Sequence, residues 1–209
     1  MSFSDKQLQI LSTSERLFAS KGFDGTSIRD IAEEAGVNIA MISYYFGSKE
    51  KLMETIFEER TKQIRERLES LLQDESLGPF EKIWVMVDEY IERSLQKQQF
   101  NRIMFMEQML GKNGEIRTFI RQLKQQNATL IEKIIKDGQK KKVFKKNIDV
   151  VLLINIMTGI VHQSMVNQDY YRVYHNLQHL SDEEVTTLLK KKVTDHLKIC
   201  FTSILKNEE

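Results

Sequence analysis

Cysteine occurs once, at Cys200, so no disulfide can close within the chain, and a reducing, cytoplasmic setting is expected. That cysteine stands in Leu197-Lys-Ile-Cys-Phe201 on an apolar helix face, the place of a small packing residue rather than a reactive thiol. Proline also occurs once, at Pro79, and glycine nine times, which leaves little to interrupt long helices. Alternation of apolar and polar residues is never sustained beyond a few positions, so strands are not expected. No apolar run approaches the length of a bilayer span, and the first residues (Met1-Ser-Phe-Ser-Asp-Lys6) lack the apolar core of a signal segment. No membrane partner is expected.

Charge of one sign is missing too. The chain carries a formal +1, and residues 1–51 hold six Lys/Arg against seven Asp/Glu. Any positive potential there must be local, at Arg29, Lys49 and Lys51 with Lys6 and Lys21 nearby. Equally absent are a glycine-rich phosphate loop, a nucleophile elbow and a carboxylate pair in a helix-and-His setting. His175 and His179 are four apart, a spacing that suits two metal ligands, but no cysteine lies near and the acids at Asp182 and Glu183 fall in a turn. Surface histidines are the plainer reading. No catalytic residue, metal or cofactor is assigned, and the chain is not expected to be an enzyme.

What is present is helical throughout, in 209 residues with 41% hydrophobic and 29% charged content. That is enough chain for one large or two small domains. Thr26 and Ser27 are both helix-capping types, and Asp30 stands three residues after Ser27, a capping-box spacing. Ile28, Ile31, Ala32 and Ala35 recur at helical intervals, and Gly36 follows where the helix must stop. Val37 is an apolar plug, Asn38 a cap for the next helix, and Ile42 and Phe46 mark that helix's buried side. Two short helices about a glycine turn form a helix-turn-helix, whose second helix enters the DNA major groove. The turn alone fits an ordinary helical hairpin equally well.

Burial accounts for Val37, Ile42 and Phe46 but not for Ser43, Tyr44 and Tyr45 running into Gly-Ser-Lys49. Hydroxyls, a cation and a fresh helix start suit phosphate oxygens. Together with Ile10, Leu11, Leu17, Phe18, Lys21-Gly22-Phe23, Thr26, Ile31-Ala32, Ala35-Gly36-Val37, Tyr44-Tyr45-Phe46 and Ser48-Lys49-Glu50-Lys51-Leu52, this segment resembles the TetR family of bacterial transcriptional repressors. The likeness covers about the first quarter of the chain; the rest is similar only in length and helical character.

The resemblance implies an all-α fold, with a helix-turn-helix DNA-binding domain at 1–47 and a helical effector-binding and dimerisation domain at 48–209. It implies a repressor that binds a near-palindromic double-stranded DNA operator as a homodimer and is released by a small apolar or amphipathic effector. Two alternatives stay open: control by a protein partner, or a helical adaptor that touches no DNA. Base reading falls to Asn38, Ile39, Ala40, Met41 and Ser43, although Ser43 replaces the tyrosine or asparagine often found there. Phosphate contacts fall to Thr26, Ser27, Arg29, Tyr44, Tyr45 and Lys49.

Beyond the head, long helices are expected at 48–73, 79–98, 115–137, 149–168 and 182–206, with a short one at 100–110 and Gly138 ending the third. The basic stretch 139–146 reads as a solvated connector anchored by Val143 and Phe144. Trp84, Tyr90, Met104, Phe105, Met109 and Phe119 are candidates to line an effector pocket, since methionines and aromatics repack around apolar ligands. They are equally compatible with plain core. Helix 149–168 is apolar on most of its circumference, and Asn155, Thr158, His162, Gln163 and Ser164 interrupt it too often for a membrane span. A plain internal core would account for it and 182–206 alike; the resemblance implies that the two pair across a two-fold axis, with Ile156, Ile160, Leu189 and Val193 facing the partner.

Overall fold

A computed structural model describes residues 3–207. Met1, Ser2, Glu208 and Glu209 lie outside the described residues, and with them the outer ends of the two expected domains and the start of the stretch read for a signal segment. The fold is all-α. Ten helices are found among the described residues: α1 (Asp5–Lys21), α2 (Ile28–Glu34), α3 (Ile39–Phe46), α4 (Lys49–Gln73), α5 (Pro79–Gln96), α6 (Gln98–Met109), α7 (Gly114–Lys140), α8 (Val150–Val166), α9 (Gln168–Tyr174) and α10 (Asp182–Leu205). No single helix among them is long and apolar enough to cross a membrane.

The chain divides into two compact units, whose bounds differ from those of the expected domains. The first unit is residues 1–66 with 97–126, and the second is 67–96 with 127–209. In the first, Ile10, Leu17 and Phe18 of α1 pack with Ile31, Ile42, Phe46, Leu52, Phe57, Phe100 and Ile103 as one buried cluster. Phe57 and Phe100 meet edge to face at 5.5 Å, and Phe18 lies 5.6 Å from Phe23. Glu15 is buried and takes a forked ion pair from Arg60. Capping boxes start α1 at Ser4 and Gln7, α2 at Ser27 and Asp30, and α10 at Ser181 and Glu184.

In the second unit, Ile83, Val87 and Ile91 of α5 face Leu153, Met157 and Val161 of α8 and the stripe Val185, Leu189, Val193, Leu197 and Phe201 of α10. Lys82 is buried, yet its ammonium donates to the Leu72 carbonyl at 3.1 Å, satisfying one of the orphan acceptors at the end of α4. The basic connector begins after Lys140 rather than at 139 and is anchored to the second unit. Phe144 is buried, its chain pairs with Lys206, and the Lys145 N–H donates to the Leu205 carbonyl at 2.8 Å.

Two expectations about elements are corrected. Gly138 does not end α7, which continues to Lys140. It is a glycine because the Phe144 ring lies against it: a Cβ there would stand 2.1 Å from the ring. The second correction is α9, a short helix of tyrosines and charges whose cap residue Asn167 makes no side-chain bond to it, its amide donating back to the Gln163 side chain at 3.0 Å instead. With no apolar period and no capping signal, nothing in its sequence distinguishes it from a loop.

Candidate nucleic-acid interface

The helix-turn-helix is built by local hydrogen bonds that cap its two helices and close the turn between them. The Ser27 hydroxyl accepts the Asp30 N–H at 3.1 Å, and the Asp30 carboxylate accepts the Ser27 N–H at 2.9 Å and its O–H at 2.8 Å. Those bonds hold the Asp30 carboxyl below its usual range, the Ser27 backbone N–H contributing most. At the other end Gly36 takes φ +59° and the Val37 N–H returns to the Ala32 carbonyl at 3.0 Å, a Schellman closure. Asn38 then starts α3, its side-chain oxygen accepting the Ala40 N–H at 2.9 Å. Gly47, at φ +80°, ends it.

These caps fix which side of α3 is free. Ile42 and Phe46 are buried in the core, and Met41 and Tyr45 are half-buried. Asn38, Ile39, Ala40, Ser43 and Tyr44 are exposed, Tyr44 at 84% and Ile39 at 44%. Tyr44 and Tyr45 lie edge to face, 5.2 Å apart. A short helix therefore offers one face of small and apolar side chains with a tyrosine hydroxyl beside it. Such a face fits a major groove and has little to offer a protein core. Ser27 and Arg29, at the start of α2, are also exposed.

Two expected phosphate ligands are placed elsewhere. The Thr26 side chain is 1% exposed, and its hydroxyl donates to the Gly22 carbonyl at 2.8 Å, so it has nothing left for DNA. Lys49 turns inward: its ammonium donates to the carbonyls of Phe23 and Thr26, both at 2.9 Å, and lies 4.1 Å from the centroid of the Phe23 ring. Both residues flank the exposed face in sequence, which is why they read as contacts; the Lys49 bonds reach backbone groups that only the folded chain brings near, and the Thr26 bond closes its own turn.

Of the candidate pocket residues, Met104, Phe105, Met109 and Phe119 belong to the first unit and Trp84 and Tyr90 to the second. Phe105 and Met109 are exposed, while Met104 and Phe119 pack on the first unit's core. Trp84 stacks on Phe80 at 5.4 Å, and burial pushes the Tyr90 phenol up, partly offset by its bond with Ser94. None of the six lines a small, mostly apolar cavity within the second unit, nor the wider polar cleft beside it between Asp88, Glu92, Lys191 and Asp195. That cavity, about 20 Å³, is walled by Ile91, Leu95, Val161, Met165, Leu189 and Val193, and holds roughly one water molecule. The sequence reading missed it because these residues come from three helices and carry no aromatic signal.

The expected dimer residues also separate. Leu189 and Val193 are buried inside the chain's own second unit, because α10 uses that stripe against α5 and α8; they are withdrawn as partner-facing. Ile156 and Ile160 are half-buried on α8. On these two helices the large apolar side chains left exposed are Val151, Leu152 and Val166 of α8 and Ile199 and Ile204 of α10.

Comparison with known proteins bears on both units. A family model described as bacterial regulatory proteins, tetR family, matches residues 10–56, and one described as tetracyclin repressor-like, C-terminal domain, matches 79–196. The "Probable HTH-type transcriptional regulator YttP" of Bacillus subtilis is 29% identical over 137 residues, 65% of this chain and 66% of that protein, so about a third of that relative lies outside the match. The fatty acid degradation regulator FadR of Bacillus halodurans has a similar structure, with TM-score 0.71, 20% identity and coverage of 95% and 97% of the two chains. So does FadR of Bacillus subtilis in complex with stearoyl-CoA, with TM-score 0.65, 20% identity and coverage of 91% and 96%.

Proposed function

The chain belongs to the tetR family of bacterial regulatory proteins, a family of DNA-binding transcriptional regulators, and on that premise we propose that it is a repressor released from its operator by a small apolar or amphipathic effector. The observation that carries this reading is the exposed face of α3, held out by the two capped turns. Residues 1–47 form the reading head in functional terms, and 48–209 carry regulation and dimerisation.

Ile39, Ala40, Met41 and Ser43 read bases, with Asn38 divided between capping and contact. Apolar side chains in a major groove favour thymine methyl groups, so the operator carries A·T pairs at those steps. Tyr44, Tyr45, Ser27 and Arg29 set the register on the phosphates. Two heads about one turn of DNA apart require a homodimer. The uncovered apolar side chains of α8 and α10, with Ile156 and Ile160 at their edge, are the surface for it.

An amphipathic acyl compound is the effector class in this proposal. The small cavity of the second unit has aliphatic walls and carries Ser164, Gln168, Thr186 and Lys190 among them. The stearoyl-CoA held by the Bacillus subtilis relative supports the same class. Release requires that the effector bind the DNA-free arrangement better, by about 1–3 kcal/mol or more. Gel shifts on the promoter beside the chain's own gene, with stearoyl-CoA, stearate and coenzyme A added separately, test this. Stearoyl-CoA or stearate is expected to release the duplex and coenzyme A to leave it bound. Release by none of them removes the acyl class.

A further inference from the structure

The turn between α1 and α2, residues 22–26, is held from two sides within the first unit. From α4 comes Lys49, whose ammonium has three hydrogens and gives two of them to the Phe23 and Thr26 carbonyls. Its charge also lies over the Phe23 ring, where a cation is attracted by the aromatic face. From α6 come Met106, whose methyl group would stand 3.4 Å from a Cβ on Gly22, and Glu107. Glu107 is 5% exposed, an acid on the buried stripe Phe100, Ile103 and Glu107. Gly111 leaves room for it, since a Cβ there would meet the Glu107 Oε2 at 2.6 Å. Burial pushes the Glu107 carboxyl up and Asp24 adds to this; the Phe23 N–H, which bonds it, and Lys49 pull the other way.

The same turn carries the Ser27 cap of α2 one residue later, so its position sets where α2, and with it α3, begins. A lysine committed to two backbone carbonyls and a ring has little left for a phosphate. We propose that Lys49 is a positioning residue for DNA reading, clamping the 22–26 turn to the start of α4, and that Glu107 brings α6 into the same clamp. The proposal rests on the DNA-reading function above. In it, α6 reaches the reading helices through the turn, with no contact of its own to α3 required.

The test uses the full chain, duplexes selected by the unaltered protein from a randomised pool, and a random duplex as the non-specific probe. Lys49→Ala is expected to weaken the selected duplex about tenfold or more, with the salt slope on the random duplex unchanged. Amide exchange in 22–34 becomes faster while that in 182–205 stays the same. Glu107→Ala has the same signature to a smaller degree, and in the double variant adds little to the loss from Lys49→Ala. A slope lowered by about one, with exchange unchanged, makes Lys49 a phosphate contact and overturns the proposal. Full additivity of the two substitutions removes Glu107 from the clamp. Should the unaltered chain select no duplex, the DNA-reading function fails on its own, and exchange in 22–34 still decides: faster upholds the clamp, unchanged overturns it.

Discussion

Ile199→Glu is expected to turn a homodimer into monomers and to abolish tight binding of a two-half-site operator. Ile199 is 67% exposed on α10, beside an α8 that leaves Leu152 59% exposed and Val166 65% exposed. A partner that covers these side chains desolvates them, and a carboxylate in that place would lose its water without gaining a counter-charge. Uncompensated burial of a charge costs several kcal/mol. At about 1.4 kcal/mol per tenfold, a cost of that size takes the dissociation constant up by two orders of magnitude or more. A monomer retains its reading head, so binding falls to that of a single half-site and not to zero. Sedimentation and gel shifts on full and half operators separate these effects. An unchanged dimer places the partner on another face, and unchanged operator binding by monomers removes the two-fold mechanism.

Phe18→Ala has the second-largest expected effect, on the stability of the head. Phe18 is 1% exposed at the centre of the first unit's cluster and 5.6 Å from the Phe23 ring, so its removal empties a site that rigid neighbours cannot fill. Such truncations cost about 3–5 kcal/mol, a large part of the 5–15 kcal/mol that holds a typical domain together. The first unit is expected to melt earlier, with amide exchange in α1 to α3 accelerated, and DNA binding to fall with it. A melt within a degree or two of the unaltered chain would mean that the head is organised around a different core.

The fold was legible where its causes are short-range. Ser27 with Asp30, Gly36 with Val37, and Asn38 each act over one to five residues, so spacing alone located the two helices and their turn. Most of what escaped depends on groups distant in sequence. Lys49 looks like a surface donor until the carbonyls of Phe23 and Thr26 are brought to it, whereas the Thr26 bond to the Gly22 carbonyl is local and was overlooked. Leu189 and Val193 show the same limit in another form. Amphipathic period tells which face of α10 is apolar, but not whether its own chain or a second copy covers that face, and here α5 and α8 cover it. Glu107 did leave a signal, an acid in register with Phe100 and Ile103, which an eye for methionines and aromatics passed over.

The measurement that bears most directly on the central claim is selection of duplexes from a fully randomised pool by the full-length chain, followed by footprinting of the enriched sequences. Reading by α3 from two copies predicts an inverted repeat whose half-sites are centred about one turn of DNA apart, with A·T pairs at the protected steps. It also predicts that Ile39→Ala changes which bases are enriched. Recovery of a single unpaired site, of half-sites dominated by G·C, or of no sequence preference at all would contradict it.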